Sequence, residues 1–142
     1  MDALALANTI AVARGRVVDG LDPELGLHSL REAIRELFDA AVTGGAPGKG
    51  AVEALNALAR APRLRWATGE GPALAAEGAA AEAARTAIEL IAGGRLRRCG
   101  NPRCIQFYLA ETRRAYCSTA CANRTRVARH AAAGQATRRA GT

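Results

Sequence analysis

Aromatic residues are scarce: one Trp, two Tyr and two Phe make up 4% of the 142 residues. That is too few for a wide base-stacking surface or a deep aromatic pocket. No run of 18 apolar residues occurs, so a membrane-spanning helix is not expected. Met1-Asp2-Ala3-Leu4 carries an acid and no Lys or Arg before a short apolar stretch, which does not read as a secretory signal; a cytoplasmic protein is expected. Histidine is nearly missing too. His28 stands alone beside a helix start, with no cysteine, second histidine or paired acid at ligand spacing, and reads as a surface or capping residue. With no nucleophile–base pair in view, an enzyme is not expected.

What is present divides the chain in two. The hydrophobic fraction is 49%, yet alanine supplies 35 of those residues, which favours close-packed helices over a sheet of β-branched side chains. Residues 1–94 carry 9 basic and 12 acidic residues, whereas residues 95–142 carry 11 Arg and one acid, Glu111. All four cysteines fall in this second block. The division expected is a helical domain over 1–94 and a basic, cysteine-bearing module over 95–142.

Along the body, a helix is expected from Asp2 to about Ala13, with Leu4, Ala7, Ile10 and Ala11 on one side. Ser29 followed by Glu32 reads as a capping box, opening a helix whose stripe is Leu30, Ala33, Ile34, Leu37, Phe38 and Ala41. A third helix is expected over Ala51–Arg60, with Val52, Leu55, Leu58 and Ala59 inward and Pro62 ending it. Arg63 to Thr68 alternates and reads as a short strand paired near Leu74. A last helix spans Ala79–Ala92, carrying Ala84, Ala87, Ile88 and Ile91. Gly44 to Gly50 contains Gly48-Lys49 but lacks the phosphate-loop pattern, since Gly50 replaces the required Ser or Thr, and reads as a connecting loop.

The tail holds the chemistry. Cys99, Cys104, Cys117 and Cys121 are spaced C-x4-C, a gap of twelve, then C-x3-C. Two close cysteine pairs brought together by a hairpin are what tetrahedral Zn²⁺ requires, and four thiolates make the site structural. Disulfides would need an oxidising compartment. An iron–sulfur cluster uses similar ligands, but the spacing matches no common cluster pattern. Gly100-Asn101-Pro102 is a turn that lets backbone amides face the sulfurs. Ile105–Leu109 and Arg114–Cys117 are expected as two strands joined by a turn, followed by a helix from Ser118 to about Ala133. Hairpin and helix together make a treble-clef-like finger, and Phe107, Tyr108 and Tyr116 read as its small core. Besides cysteine, the tail has seven large apolar side chains, so metal binding and folding should be coupled there, with the helical body standing largely without it.

Cys99-Gly-Asn-Pro-Arg-Cys104 and Arg113-Arg114-Ala-Tyr-Cys117-Ser-Thr-Ala-Cys121-Ala-Asn-Arg124 resemble the CGNR zinc finger. Leu6-Ala-Asn8-Thr9 and Leu30-Arg31-Glu32-Ala33 resemble the ABATE domain that precedes this finger in bacterial stress-induced transcription regulators. The name-giving tetrapeptide reads Cys121-Ala122-Asn123-Arg124 here. The resemblance implies a DNA-binding transcriptional regulator with duplex DNA as partner. Composition and spacing alone imply a basic zinc module on a helical body. The alternative readings are a zinc-stabilised protein- or RNA-interaction module without direct DNA binding, or a zinc–thiolate redox sensor.

Helical phase sorts the arginines. Arg124 falls with Cys121 on the face toward the zinc hairpin and is expected to support the site by bonding loop carbonyls. Arg126, Arg129 and His130 fall on the opposite face and, with Arg113 and Arg114, are the candidate phosphate contacts. Asn123 and Thr125 are candidate base readers.

Overall fold

The Asp2 carboxylate accepts a hydrogen bond from the Ala5 N–H and caps a helix of only five residues, α1 (Ala3–Ala7). The computed structural model describes residues 1–59, 64–67, 71–74, 78–111 and 113–141. The expected continuation of α1 to Ala13 does not occur. Instead β1 (Ile10–Ala13) pairs antiparallel with β2 (Arg16–Asp19), Ile10 opposite Asp19 and Ala13 opposite Arg16. Arg14 (φ 50°) and Gly15 (φ 76°) form the two-residue turn, both in the left-handed region that suits a hairpin's twist. Val12, Val17 and Val18 carry the β preference that the alanine-rich helical period obscured.

A single 3-10 turn (Pro23–Leu25), capped by Asp22 and ended by Gly26 at φ 64°, leads into α2 (His28–Thr43). The Ser29–Glu32 capping box does not form. The cap residue is Leu27, without a side-chain bond, because Leu27 is buried in the core and its carbonyl takes the Arg31 N–H. Burial of one leucine thus shifts the helix start and leaves Ser29 inside the first turn. The stripe on α2 is otherwise as expected: Leu30, Ile34, Leu37 and Phe38 are buried, though Ala41 is exposed.

Then come α3 (Lys49–Leu58), a hairpin of β3 (Leu64–Ala67) and β4 (Gly71–Leu74), and α4 (Ala79–Ala92). Ala51 and Leu55 are the buried residues of α3, while Val52 and Leu58 are over a third exposed. Arg60, Pro62, Arg63 and Thr68 lie outside the described residues. On α4, Ala83, Ala84 and Ala87 are fully buried, and Ile88 turns outward. Such small faces let helix backbones approach closely, which is where the alanine-rich composition is used.

The finger's hairpin is not the one expected. β5 (Leu96–Arg98) pairs antiparallel with β6 (Phe107–Leu109), and the cysteine turn lies between them. Residues 114–117 form no strand, because their polar groups are engaged elsewhere: Ala115 accepts the Gly100 N–H and Arg114 accepts the Tyr108 hydroxyl. The chain closes with α5 (Thr119–Ala140). The whole is mainly helical, with a small treble-clef-like module at the end of the chain.

Leu96 and Phe107 of this module belong to the same hydrophobic core as Leu6, Ile34 and Phe38. The Phe38 and Phe107 rings meet edge to face at 5.4 Å, a geometry worth about 0.5–1.5 kcal/mol beyond burial. Phe107 is therefore a core residue of the body as much as of the finger.

Candidate metal centre

The turn Cys99–Cys104 brings two sulfurs to one point through its own backbone. Asn101, itself buried, accepts the Cys104 N–H on its carbonyl and the Arg103 N–H on its side chain. The Gly100 N–H donates to Ala115 O at 2.8 Å, and a Cβ at Gly100 would lie 2.7 Å from that oxygen. Only glycine permits this approach. On the other side Ser118 caps α5 by accepting the Cys121 N–H, which sets Cys121 in the first turn of the helix beside Cys117.

The four thiols come together as free cysteines. Cys117 Sγ lies 3.7 Å from Cys104 Sγ and 3.6 Å from Cys121 Sγ, and all four sulfurs fall within 4.8 Å of one another. A tetrahedron with Zn–S bonds of about 2.3 Å has edges of about 3.8 Å, so the donor set has the right chemistry and the right size. Backbone amides face the sulfurs as the turn composition implied: the Cys117 N–H points at Cys99 Sγ at 3.4 Å, and Gln106 donates to Cys104.

Without metal the thiols perturb one another. Burial pushes the Cys104 and Cys117 thiols up, and the neighbouring sulfurs push Cys117 further. Burial also acts upward on Cys121, but hydrogen bonds from Ser118, the adjacent thiols and Asn101 outweigh it and bring Cys121 down to about 7. A thiol at a helix N-terminus is where a first thiolate is expected to form, and it is the thiolate that binds metal.

The arginines separate in space. Arg126, Arg129 and His130 are exposed and line one groove of about 480 Å³ with Tyr116, Ala122 and Ala133. Arg113 is exposed on the loop, and the Arg114 guanidinium lies over the Tyr108 ring at 5.2 Å, lining a different cleft with Leu4, Asn8 and Gln106. Arg124 is exposed, and no hydrogen bond from it to a loop carbonyl is formed among the described residues. Thr125 is the buried neighbour; its hydroxyl donates to Cys121 O at 3.0 Å. Asn123 is exposed on α5.

Sequence reasoning did not reach the polar latch between body and finger. Asn8 bonds both the N–H and the O of Phe107, at 2.9 and 2.8 Å, as a neighbouring strand would. Gln106 donates to Ile10 O at 2.7 Å, and Arg35 donates to Ala7 O and Ile105 O while covering the Phe107 ring at 5.1 Å. Asn8 lies within the Leu6–Thr9 stretch that carried the family resemblance, but its partner 99 residues away is visible only in the fold.

A zinc-finger protein is what this fold and site define: four thiolates around one point, on a knuckle hairpin and a helix N-terminus. The chain belongs to the ABATE family, described as "Putative stress-induced transcription regulator", which matches residues 24–94, and residues 95–133 match the CGNR zinc finger. No curated protein and no solved structure matches the chain. The metal of Cys99, Cys104, Cys117 and Cys121 is zinc.

Proposed function

We propose that the chain is a non-enzymatic transcriptional regulator that binds duplex DNA through α5. One observation carries this reading. Beyond Cys121 and Thr125 no side chain of α5 is buried, and the helix holds five Arg and no acid. A 22-residue helix about 33 Å long, held at its N-terminal turn by zinc and otherwise uncovered, fits a groove of nucleic acid in size and charge. Arg126, Arg129 and His130 supply its phosphate contacts, with Arg113 and Arg114 on the adjoining loop. Four thiolates fill a tetrahedral site, which supports a structural rather than a catalytic metal.

Gel shifts on duplex DNA over a salt series test this. Replacing Arg126 and Arg129 together with Ala should flatten the log–log salt slope by about two and leave zinc content unchanged. An unchanged slope would overturn the assignment, and preferential binding of structured RNA or of a protein would replace it. The half-exposed Cys104 and Cys117 sulfurs favour a second reading, a zinc–thiolate sensor; rapid zinc loss at low peroxide would support it and inert thiols would sink it.

A further inference from the structure

We infer that the β1–β2 hairpin is a basic wing that meets the same nucleic-acid backbone as the finger, with Arg14 and Arg16 at its tip on phosphates. The inference rests on the DNA-binding reading above. Every residue of β2 is exposed, and Val17 and Val18, which point to opposite faces, are 65% and 48% exposed. Strand β2 and the turn are thus uncovered, while Ile10, Ala11 and Val12 of β1 are half-buried; a two-stranded ribbon so placed is ordinarily marginal.

Its base is nonetheless tightly held. Asp19 takes a two-pronged bond from Arg31 at 2.5 and 2.8 Å, and the Gly20 N–H donates to Thr9 O at 2.8 Å. A rigid base under an uncovered tip is the construction of a presented arm. The tip sequence is Arg14-Gly15-Arg16, and neither arginine has an acidic partner among the described residues. By contrast Arg31, Arg85 and Arg98 of the same chain are each paired with acids.

The position relative to the zinc module follows from Gln106. Two residues after the ligand Cys104, its side chain donates to Ile10 O at the root of β1. Four strand residues rise by about 10 Å, the length of roughly three base-pair steps. The root of the wing therefore adjoins the zinc module, and its tip carries two further arginines within the span of a short duplex. Unpaired guanidinium groups at that distance from a basic zinc module fit a phosphate backbone, which they can grip without reading sequence.

The test uses full-length zinc-loaded protein and a random-sequence duplex as well as any selected site. Arg14→Asn with Arg16→Gln removes two charges, and Asn-Gly is itself a favoured pair for this turn, so the hairpin should persist. The salt slope should flatten by about 1.8, and hydroxyl-radical protection should be lost on one flank of the footprint while its centre stays. Arg14→Lys with Arg16→Lys should keep the wild-type slope; a loss as large as that of the neutral variant would point to misfolding and overturn the inference. An unchanged slope and footprint in the neutral variant, alongside weakened binding by Arg126→Ala/Arg129→Ala, would overturn the wing and leave the helix reading standing. Wild-type protein that binds no duplex would overturn both.

Discussion

Gly100 shows how one hydrogen atom can decide a metal site. Its N–H reaches Ala115 O, pinning the loop that leads into Cys117, and there is no room for a methyl group. We expect Gly100→Ala to push that loop away and cost about 1–3 kcal/mol, the range for overpacking. Zinc should pass more quickly to a competing chelator, while the far-ultraviolet signal of the helices stays near wild type. Unaltered release kinetics would show that the loop can give way. The spacing of the four cysteines is legible to anyone reading the chain, but this contact spans fifteen residues and depends on which carbonyl the folded loop presents. Arg124 and Thr125 teach the same lesson. Helical phase alone favours Arg124 for the inward face, whereas in the folded chain Thr125, one turn beyond Cys121, is the buried residue and Arg124 is exposed.

Among the elements, the β1–β2 hairpin diverges most from its sequence pattern. Its alanines let a helical period extend through residues that the Arg14–Gly15 turn converts into strands. The hairpin's base depends on Asp19, whose carboxyl is held at about 2 by the Arg31 guanidinium and the Leu21 N–H, below its ordinary 3.8. Because the folded value is the lower one, this stabilisation is complete above about pH 4 and is lost as the pH falls from there toward about 2. Asp19→Asn should therefore melt at a lower temperature than wild type at neutral pH, and the gap should close across that acid window. A gap that stays constant down to pH 2 would assign the effect to something other than the ion pair. Helix α4, by contrast, has its bounds legible, since Gly78 and Gly93 bracket an uninterrupted alanine-rich run, although Ala83 rather than Ile88 joins its buried face.

The molecule as a whole has one core where its charge pattern suggests two parts. Phe107 and Leu96 from the finger pack with Leu6, Ile34 and Phe38, and Asn8, Arg35 and Gln106 seal the joint with hydrogen bonds. Zinc removal should consequently destabilise the helical body as well as the tail, rather than leaving the body largely intact. Chelation should lower the melting temperature of the entire chain in a single transition. Phe107→Ala should do the same with zinc still present, by about 3–5 kcal/mol. Two separate transitions, with the upper one unmoved by chelator, would show that the core is not shared energetically. No helix among the described residues is long and apolar enough to cross a membrane.

Local chemistry and composition, by themselves, determined the four-cysteine set and its fit to a thiophilic metal, the mainly helical body and the concentration of arginine in the last third. These depend on residue type and short spacing, which a linear chain carries in full. The tertiary structure alone decided which strand pairs with β5, that the capping box yields to a buried Leu27, and that Asn8 completes the edge of a strand 99 residues away. Each of those outcomes turns on competition between distant groups for the same hydrogen bonds or the same buried volume. Such competition is resolved only when the chain has folded and the winner is in contact.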